Sequence, residues 1–226
     1  MNLFRVLLVL IACCASTFAA AGVIHSRRAN SDPRLDTNPM SSFWRGSEPI
    51  YMESDALGKT EPKYRTEIRT RWTKQNLYFL FVCPYEELNL TPNPNKSAET
   101  NELWNWDVAA AFIGADFKNI KRYKEFEISP QGEWIDLDID LDRQHGDSGW
   151  KWNSNFEVSS RSIRLLTCGM GRCELRMRQS TVARRSPAIL CESISFVVRD
   201  RPPVGTTLPG ERRCATVSRF RNALAL

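Results

Sequence analysis

The last 66 residues of the chain lack three residue types that the preceding part uses freely. Residues 161–226 contain no lysine, tryptophan or tyrosine, whereas all 7 tryptophans and all 5 tyrosines precede Arg161. The same segment has 13 arginines against 4 acidic residues, which is a net charge of +9. Because the whole chain carries only +5, its basic character belongs to this tail, and residues 1–160 offer no basic surface for nucleic acid.

Cysteine is also scarce ahead of the tail. Cys83 is the one cysteine between residue 21 and Arg161, while 4 of the 7 cysteines lie in the tail. A small exported domain stapled by disulfides has an even, dense set of cysteines. We therefore expect the body of the protein to fold around a hydrophobic core without a disulfide framework.

Long apolar runs are absent except at the N-terminus, and that run is too short to cross a bilayer. Arg5 supplies positive charge, residues 6–14 are apolar, and residues 19–21 offer a small-residue cleavage site. These features predict a secretory signal peptide over residues 1–21 and a periplasmic or extracellular destination. Residues 10–13 also resemble a lipobox, so lipid anchoring at Cys13 is the alternative.

Short alternating or apolar segments predict strands throughout residues 43–160. Residues 65–72 and 135–141 have the two-residue period of half-buried strands, and residues 77–82 are apolar on both faces, as in a central strand. Turns rich in proline, glycine and asparagine separate these segments. The pattern predicts an all-β, antiparallel β-sandwich of jelly-roll or immunoglobulin-like type, preceded by a linker or lead-in over residues 22–42.

Several of these segments, in this order and spacing, resemble one family. They are Trp44, Thr66-x-Ile68-x-Thr70-x-Trp72, Leu77-Tyr78-Phe79, Trp104-x-x-Asp107-Val108, Phe112-Ile113-Gly114, and Tyr123-x-Glu125-Phe126-Glu127-Ile128-Ser129-Pro130-x-Gly132. Together they resemble the carbohydrate-binding modules of family 9 and similar domains, which are secreted β-sandwiches related to the DOMON group. The resemblance covers about residues 43–160.

The resemblance implies non-catalytic binding of a glycan, in partnership with glycoside hydrolases that break down polysaccharides. Trp104 matches a tryptophan on which the sugar ring stacks, since a large flat ring suits the apolar C–H face of a sugar. Characterised members have an acidic residue at the position of Ala110 and an arginine at that of Glu127, and their second stacking tryptophan lies near the C-terminus. These departures leave open a structural or protein-interaction sandwich that no longer binds sugar.

Three more tryptophans are candidates for sugar contact. Trp106 follows Trp104 by two residues and would share its side of an extended strand. Trp150 and Trp152 flank Lys151 in a polar stretch, which is typical of an exposed loop rim. Packing in the core or at a strand end is the alternative for each of them.

The acidic ladder Asp136, Asp138 and Asp140 allows one metal hypothesis. Carboxylates on one strand face can supply oxygen ligands to Ca²⁺, so a structural calcium ion is conceivable. The spacing belongs to a strand and not to a calcium loop, and it favours a solvated polar face opposite an apolar one. No metal ligand and no cofactor is therefore assigned.

Two other activities have little support in the sequence. Asp107, Glu125 and Glu127 could include the carboxyl pair of a glycosidase, but no motif fixes their separation, so no catalytic residue is predicted. DOMON redox domains hold haem through methionine and histidine, and the histidines here are only His25 and His145. A redox or ligand-binding domain of DOMON type is kept as the third alternative.

The tail departs from the family at about Arg161, where further strands and a segment of the binding site should follow. Its composition is that of GC-rich DNA read out of frame. With permitted synonymous codons, one shifted frame lets residues 162–176 include Val-Trp-Tyr-Gly-Glu-Val-Arg and residues 219–225 include Val-Pro-Glu-Arg-Phe-Gly, which resemble the family's own strands. We expect a frameshift near Arg161, with C-terminal strands missing or out of frame and residues 161–226 disordered. A genuine basic tail is the alternative.

Overall fold

The computed structural model describes residues 25–54, 59–114, 119, 121–143, 150–164, 169–178, 190–198 and 213–218. The predicted signal peptide lies outside the described residues. Within the described ranges no helix has the length and apolar content that a membrane span requires. Helical structure there consists of one turn, α1 (Ser42–Arg45), and the 3-10 turns Pro62–Tyr64 and Leu103–Asn105.

The described strands are short and follow one another along the chain. They are β1 (Arg27–Arg28), β2 (Ile50–Met52), β3 (Thr66–Trp72), β4 (Asn76–Tyr85), β5 (Val108–Gly114), β6 (Arg122–Ile128), β7 (Trp134–Asp140), β8 (Glu157–Arg164), β9 (Gly169–Arg178), β10 (Leu190–Val198) and β11 (Arg213–Ser218).

These strands form two sheets, which confirms the predicted all-β sandwich. The first sheet has the order β1-β3-β4-β9-β8, with β2 also paired to β3, and the second has the order β11-β10-β5-β6-β7. Every pairing among them is antiparallel except that of β1 with β3. β4 lies inside the first sheet and is buried on both faces, as its continuous apolar sequence predicts.

The core lies between the sheets and is built from alternate strand positions. Ile68, Phe79 and Phe81 of the first sheet share one buried cluster with Ala111 and Phe126 of the second. Small alanines in β5 leave room for the large rings of the facing sheet, which allows the two layers to interdigitate. Burial of each large apolar side chain here stabilises the fold by about 1.5–3 kcal/mol.

The lead-in and the residues that follow it up to Ser47 cover the outer face of the first sheet, so they are part of the sandwich as well as a connection to it. Trp44 is fully buried against Tyr78 and Leu80 on that face. Arg69 donates hydrogen bonds to the backbone carbonyls of Trp44 and Ser47 over 3.1 and 3.2 Å. The charged outer row that the alternation of β3 predicts is therefore present, but the lead-in covers it.

Strands from the tail complete both sheets, which differs from the expectation that this region is missing or disordered. β9 lies between β4 and β8, and β10 lies between β11 and β5. The alternation of apolar and charged residues in β9 accounts for its place, because the register sets Leu175 opposite the core residue Phe79. The frameshift near Arg161 stays a prediction, because the path of the protein backbone does not show in which reading frame the gene was translated.

One residue of β9 fits its central position poorly. Glu174 is opposite Leu80 in the register and is fully buried beneath the lead-in. Burial raises the pKa of its carboxyl to about 8, although the backbone N–H of Asp36 donates to it over 2.6 Å. A buried charge of this kind costs stability unless it is neutralised.

Candidate functional site

The outer face of the second sheet carries a band of apolar and acidic side chains across three strands. The register joins Ala110 of β5 to Glu127 of β6 and to Ile135 of β7. One step along, it joins Glu125 of β6 to Leu137 of β7. These positions point away from the core between the sheets, because side chains alternate between the two faces of a strand.

The apolar row of β7 lies on this outer face, and the predicted solvated row of aspartates does not. Ile135, Leu137 and Ile139 form a buried cluster on the outer face together with Leu103 and Val108. The apolar row of β7 is thus covered by the segment that leads into β5 and not by the opposite sheet. The hydrophobic period of a strand shows which residues share a face, but not whether a loop or the opposite sheet covers that face. The sequence therefore could not predict which element covers the apolar row of β7.

The aspartates of β7 consequently point toward the first sheet, and they are not one solvated row. Asp136 is fully buried. Asp138 pairs with Lys124 at 2.5 Å, and Asp140 pairs with Arg122 at 3.2 Å. The carboxylates are therefore engaged separately, and no group of metal-ligating residues forms within the described ranges.

Trp104 lies on the outer face because a short 3-10 turn directs it there. Leu103, the first residue of this turn, is fully buried in the outer cluster, and Trp104 packs against the same cluster while remaining partly exposed. Just after the turn, Asp107 anchors the chain: its backbone N–H donates to the carbonyl of Asn89, and its carboxylate accepts the N–H of Asn89 over 2.8 Å. The ring is thus held on a fixed base.

Trp150 reaches the same cluster from a different part of the chain. Its carbonyl accepts the backbone N–H of Asp138 over 3.0 Å, and Lys151 forms a bridge with Leu137. The indole ring of Trp150 is partly buried against the outer cluster, as is that of Trp104. The structure therefore brings two of the four predicted tryptophans onto one apolar base.

The other two predicted tryptophans lie elsewhere. Trp106 is half-buried where the 3-10 turn passes into β5. Trp152 packs against the core between the sheets, with its ring 6.1 Å from that of Phe126 and the ammonium group of Lys124 4.3 Å above it. Trp152 is therefore not on the face of Trp104 and Trp150. A role in sugar contact stays a prediction for Trp106 and Trp152.

Sequence reasoning missed the role of Tyr123 on this face. Tyr123 packs against the outer cluster and lies 5.8 Å, between ring centroids, from Phe112 of β5. Its position two residues before Glu125 in an alternating segment was the available signal, since Tyr123, Glu125 and Glu127 must share one face of β6. The missing information was that this face carries the tryptophans.

Both departures from the family pattern lie in the floor of this face. Ala110 and Glu127 are cross-strand neighbours, and their side chains are only 1 % and 2 % exposed. Glu125, the next outward residue of β6, is half-buried and closer to solvent. Carboxylate oxygens accept hydrogen bonds from hydroxyl groups, so the face can combine flat apolar rings with acceptors, which is the chemistry that sugar recognition needs.

The fold is similar to solved structures of carbohydrate-binding proteins. One is a family 9 carbohydrate-binding module from Caldicellulosiruptor kristjanssonii in complex with cellotriose, at 11% identity and a TM-score of 0.53, covering 89% of this chain and 93% of that one. A candidate carbohydrate-binding protein from Bacteroides uniformis ATCC 8492 gives 10% identity and a TM-score of 0.58, covering 88% and 98%.

A glucose complex of a family 9 module from the Caldicellulosiruptor species also matches, at 10% identity and a TM-score of 0.51, covering 88% of this chain and 95% of that one. No family model and no curated protein matches the sequence. At such low identity the likeness concerns the fold, and the fold expected from the resemblance of residues 43–160 is thereby confirmed: it is that of the family 9 carbohydrate-binding modules.

Proposed function

We propose that this protein is a non-catalytic carbohydrate-binding module whose site is the outer face of the second sheet. The observation that carries the proposal is the meeting of Trp104 and Trp150, 46 residues apart in the sequence, on one apolar cluster. Both residues are partly exposed, so part of this aromatic face is available for a sugar ring to stack on. Similar folds that hold cellotriose and glucose give the first ligands to test.

The acidic side chains fit a binding role better than a catalytic one. Asp107 is fully buried and engaged with the backbone of Asn89, and Glu127 is 2 % exposed. A glycosidase needs two carboxyl groups on opposite sides of a bound glycosidic bond. Glu125 is the accessible carboxylate of this face, and its proposed role is to accept hydrogen bonds from sugar hydroxyls.

The predicted signal peptide completes the proposal. An exported module with this site would act beside glycoside hydrolases, by keeping them close to a polysaccharide. Its own contribution is affinity, since a tethered binding module raises the effective concentration of an enzyme at its substrate.

The test is a titration of the full chain with cello- and xylo-oligosaccharides, followed by tryptophan fluorescence and calorimetry. We expect saturable binding that Trp104→Ala weakens by at least about thirtyfold, the loss typical of a central aromatic contact. Trp150→Ala should weaken it less if its ring borders the site. Tyr51→Ala is the matched control, because Tyr51 is an exposed aromatic residue of the first sheet.

Two outcomes would contradict the proposal. Unchanged affinity in Trp104→Ala would remove the outer face of the second sheet as the site. Absence of binding to any of these sugars would favour the structural or protein-interaction alternative, which the buried Ala110 and Glu127 support. A Soret absorption band in the purified protein would instead favour the DOMON-type redox alternative.

A further inference from the structure

A buried carboxyl group, that of Asp136, lies on the inner side of β7, directly behind the proposed site. Asp136 is fully buried, and its Oδ2 accepts the backbone N–H of Ser154 over 2.7 Å as well as the hydroxyl of Ser154. The same hydroxyl oxygen accepts the N–H of Phe156 over 3.1 Å. Ser154 thereby fixes one oxygen of Asp136 in place, together with the segment that follows Trp150.

Asp136 also lies beside the side chain of Glu99. Among the described residues, no N–H or hydroxyl group donates to its buried Oδ1, while the side chain of Glu99 is within hydrogen-bond contact of Asp136. Two carboxyl groups can make such a bond only when one of them is protonated. A hydrogen bond between Glu99 and Asp136 therefore needs one proton that the pair shares.

This pair connects both tryptophan-bearing segments to one strand. Glu99 precedes Trp104 by five residues, and the N–H of Thr100 donates to the carbonyl of Trp134 at the start of β7 over 3.0 Å. Ser154 follows Trp150 by four residues. Asp136 lies on β7 between Ile135 and Leu137, whose side chains form the apolar base under both rings.

Building on the proposed sugar site, we propose that Glu99 and Asp136 share one proton and act as positioning residues for Trp104 and Trp150. When the proton is present, the pair holds the loop of Glu99 and the segment of Ser154 against β7. When it is lost, two adjacent carboxylates repel each other, and the segment around Glu99 that leads to the turn of Trp104 is displaced, because Ser154 fixes Asp136. The protein would therefore bind sugar more weakly above neutral pH.

The charges around the pair set the direction and the pH range. Burial, together with the hydrogen bond and the charge of Asp136, raises the pKa of Glu99 to about 7, although Lys151 opposes the change. Asp138 on the same side of β7 is neutralised by Lys124. With a pKa near 7, Glu99 is about nine-tenths protonated at pH 6 and about one-tenth at pH 8, so the dissociation constant should rise about tenfold between them.

Stability should follow the same direction. The pKa of Glu99 is higher in the folded protein than its ordinary value of 4.5, so the folded state binds more protons than the unfolded state between pH 4.5 and 7. Stability contributed by the pair is complete below that range and falls as pH rises through 7. This readout does not depend on any sugar.

The experiment measures the melting temperature and the dissociation constant for cellotriose from pH 5.5 to 8.5, for the wild type, Glu99→Gln and Glu87→Gln. The amide of Glu99→Gln can donate permanently to Asp136, so we expect this variant to keep its low-pH affinity at pH 8.5 and to lose the step near pH 7. Glu87→Gln, an exposed acid at the start of the same loop, should retain the step.

Three results would overturn the shared proton. They are a step that persists in Glu99→Gln, a wild type with no step in either readout, and a melting temperature that Ca²⁺ raises at pH 8.5 in the wild type but not in Asp136→Ala. The last result would mean that the two carboxylates hold a cation together. If cellotriose, glucose and xylotriose all fail to bind at every pH, the proposed function fails separately, and the melting profile still decides whether the proton is shared.

Discussion

The two outer faces of the sandwich differ in what covers them. The outer face of the first sheet is closed by the lead-in and the residues just after it, with Trp44 fully buried on it and arginines of β3 donating to the carbonyls of Phe43 and Trp44. On the outer face of the second sheet, Trp104, Trp150 and Tyr123 rest on a buried apolar cluster and keep part of their rings exposed. The first face is covered by the protein's own chain, whereas the second leaves exposed aromatic surface that a ligand can contact.

The comparison teaches how similar residues acquire different roles. Each face presents an aromatic cluster beside charged groups, so composition alone does not separate them. The polar group of Trp44 is used internally, because its indole N–H donates to the carbonyl of Asp36 over 3.2 Å. An aromatic residue that is fully buried and internally bonded, as Trp44 is, contributes stability, whereas several half-exposed aromatics on one apolar cluster mark the face to test for binding.

The largest expected effect is a difference in stability between a substitution on the first outer face and one on the second. Trp44→Ala removes a fully buried ring and should lower the free energy of unfolding by about 3–5 kcal/mol, as large-to-small core substitutions do. Trp104→Ala removes a partly exposed ring and should cost only about 1 kcal/mol. Urea denaturation of the two variants checks this, and equal losses would mean that the faces are alike.

The second effect concerns the buried acid of the closed face. The pKa of Glu174 is raised from its ordinary 4.5 to about 8, chiefly by burial, so stability should fall as pH rises between these values. Glu174→Gln removes the ionisation and should be more stable than the wild type by about 2–3 kcal/mol at pH 8.5, with little difference at pH 5. Thermal unfolding across this range tests it, and parallel profiles of the two proteins would refute it.

The smallest effect tests the attachment of the lead-in. Asp32 accepts hydrogen bonds from the side chains of Thr73, Asn76 and Tyr78 over 2.5, 2.8 and 2.7 Å. Burial alone would raise the pKa of Asp32, but these bonds lower it overall. Asp32→Ala should therefore cost about 1–2 kcal/mol at pH 7.

The difference should shrink as pH falls below 4, where the wild-type carboxylate gains a proton and loses these bonds. Denaturation at pH 7 and pH 3 measures it. A loss of equal size at both pH values would mean that Asp32 acts through packing and not through its charge.

The sequence predicted the fold well where strand period and burial agree. The central position of β4 and the inward row of β3 follow from apolar continuity and alternation, and both are found. Trp104 was identified through resemblance and lies on an outer face with a second predicted tryptophan, Trp150. Which sugar contacts these rings make is still a prediction.

The rest depended on contacts between distant segments. The aspartates of β7 were predicted to form a solvated polar face, yet Asp136 is buried, and Leu103 and Trp104 cover the apolar row of the strand from outside. Period alone cannot decide which face of a strand a loop will cover. The strands β9 to β11 were unexpected because the composition of the tail outweighed its local alternation.

The most direct test of the two-face account is a two-dimensional NMR spectrum of the tryptophan indole N–H groups during titration with cellotriose. The account predicts that the Trp104 and Trp150 signals move in a saturable way, while those of Trp44 and Trp72 stay in place. Trp104→Phe and Trp44→Phe assign the two decisive signals. Saturable movement of the Trp44 signal with a stationary Trp104 signal would contradict the account and move the binding face to the first sheet.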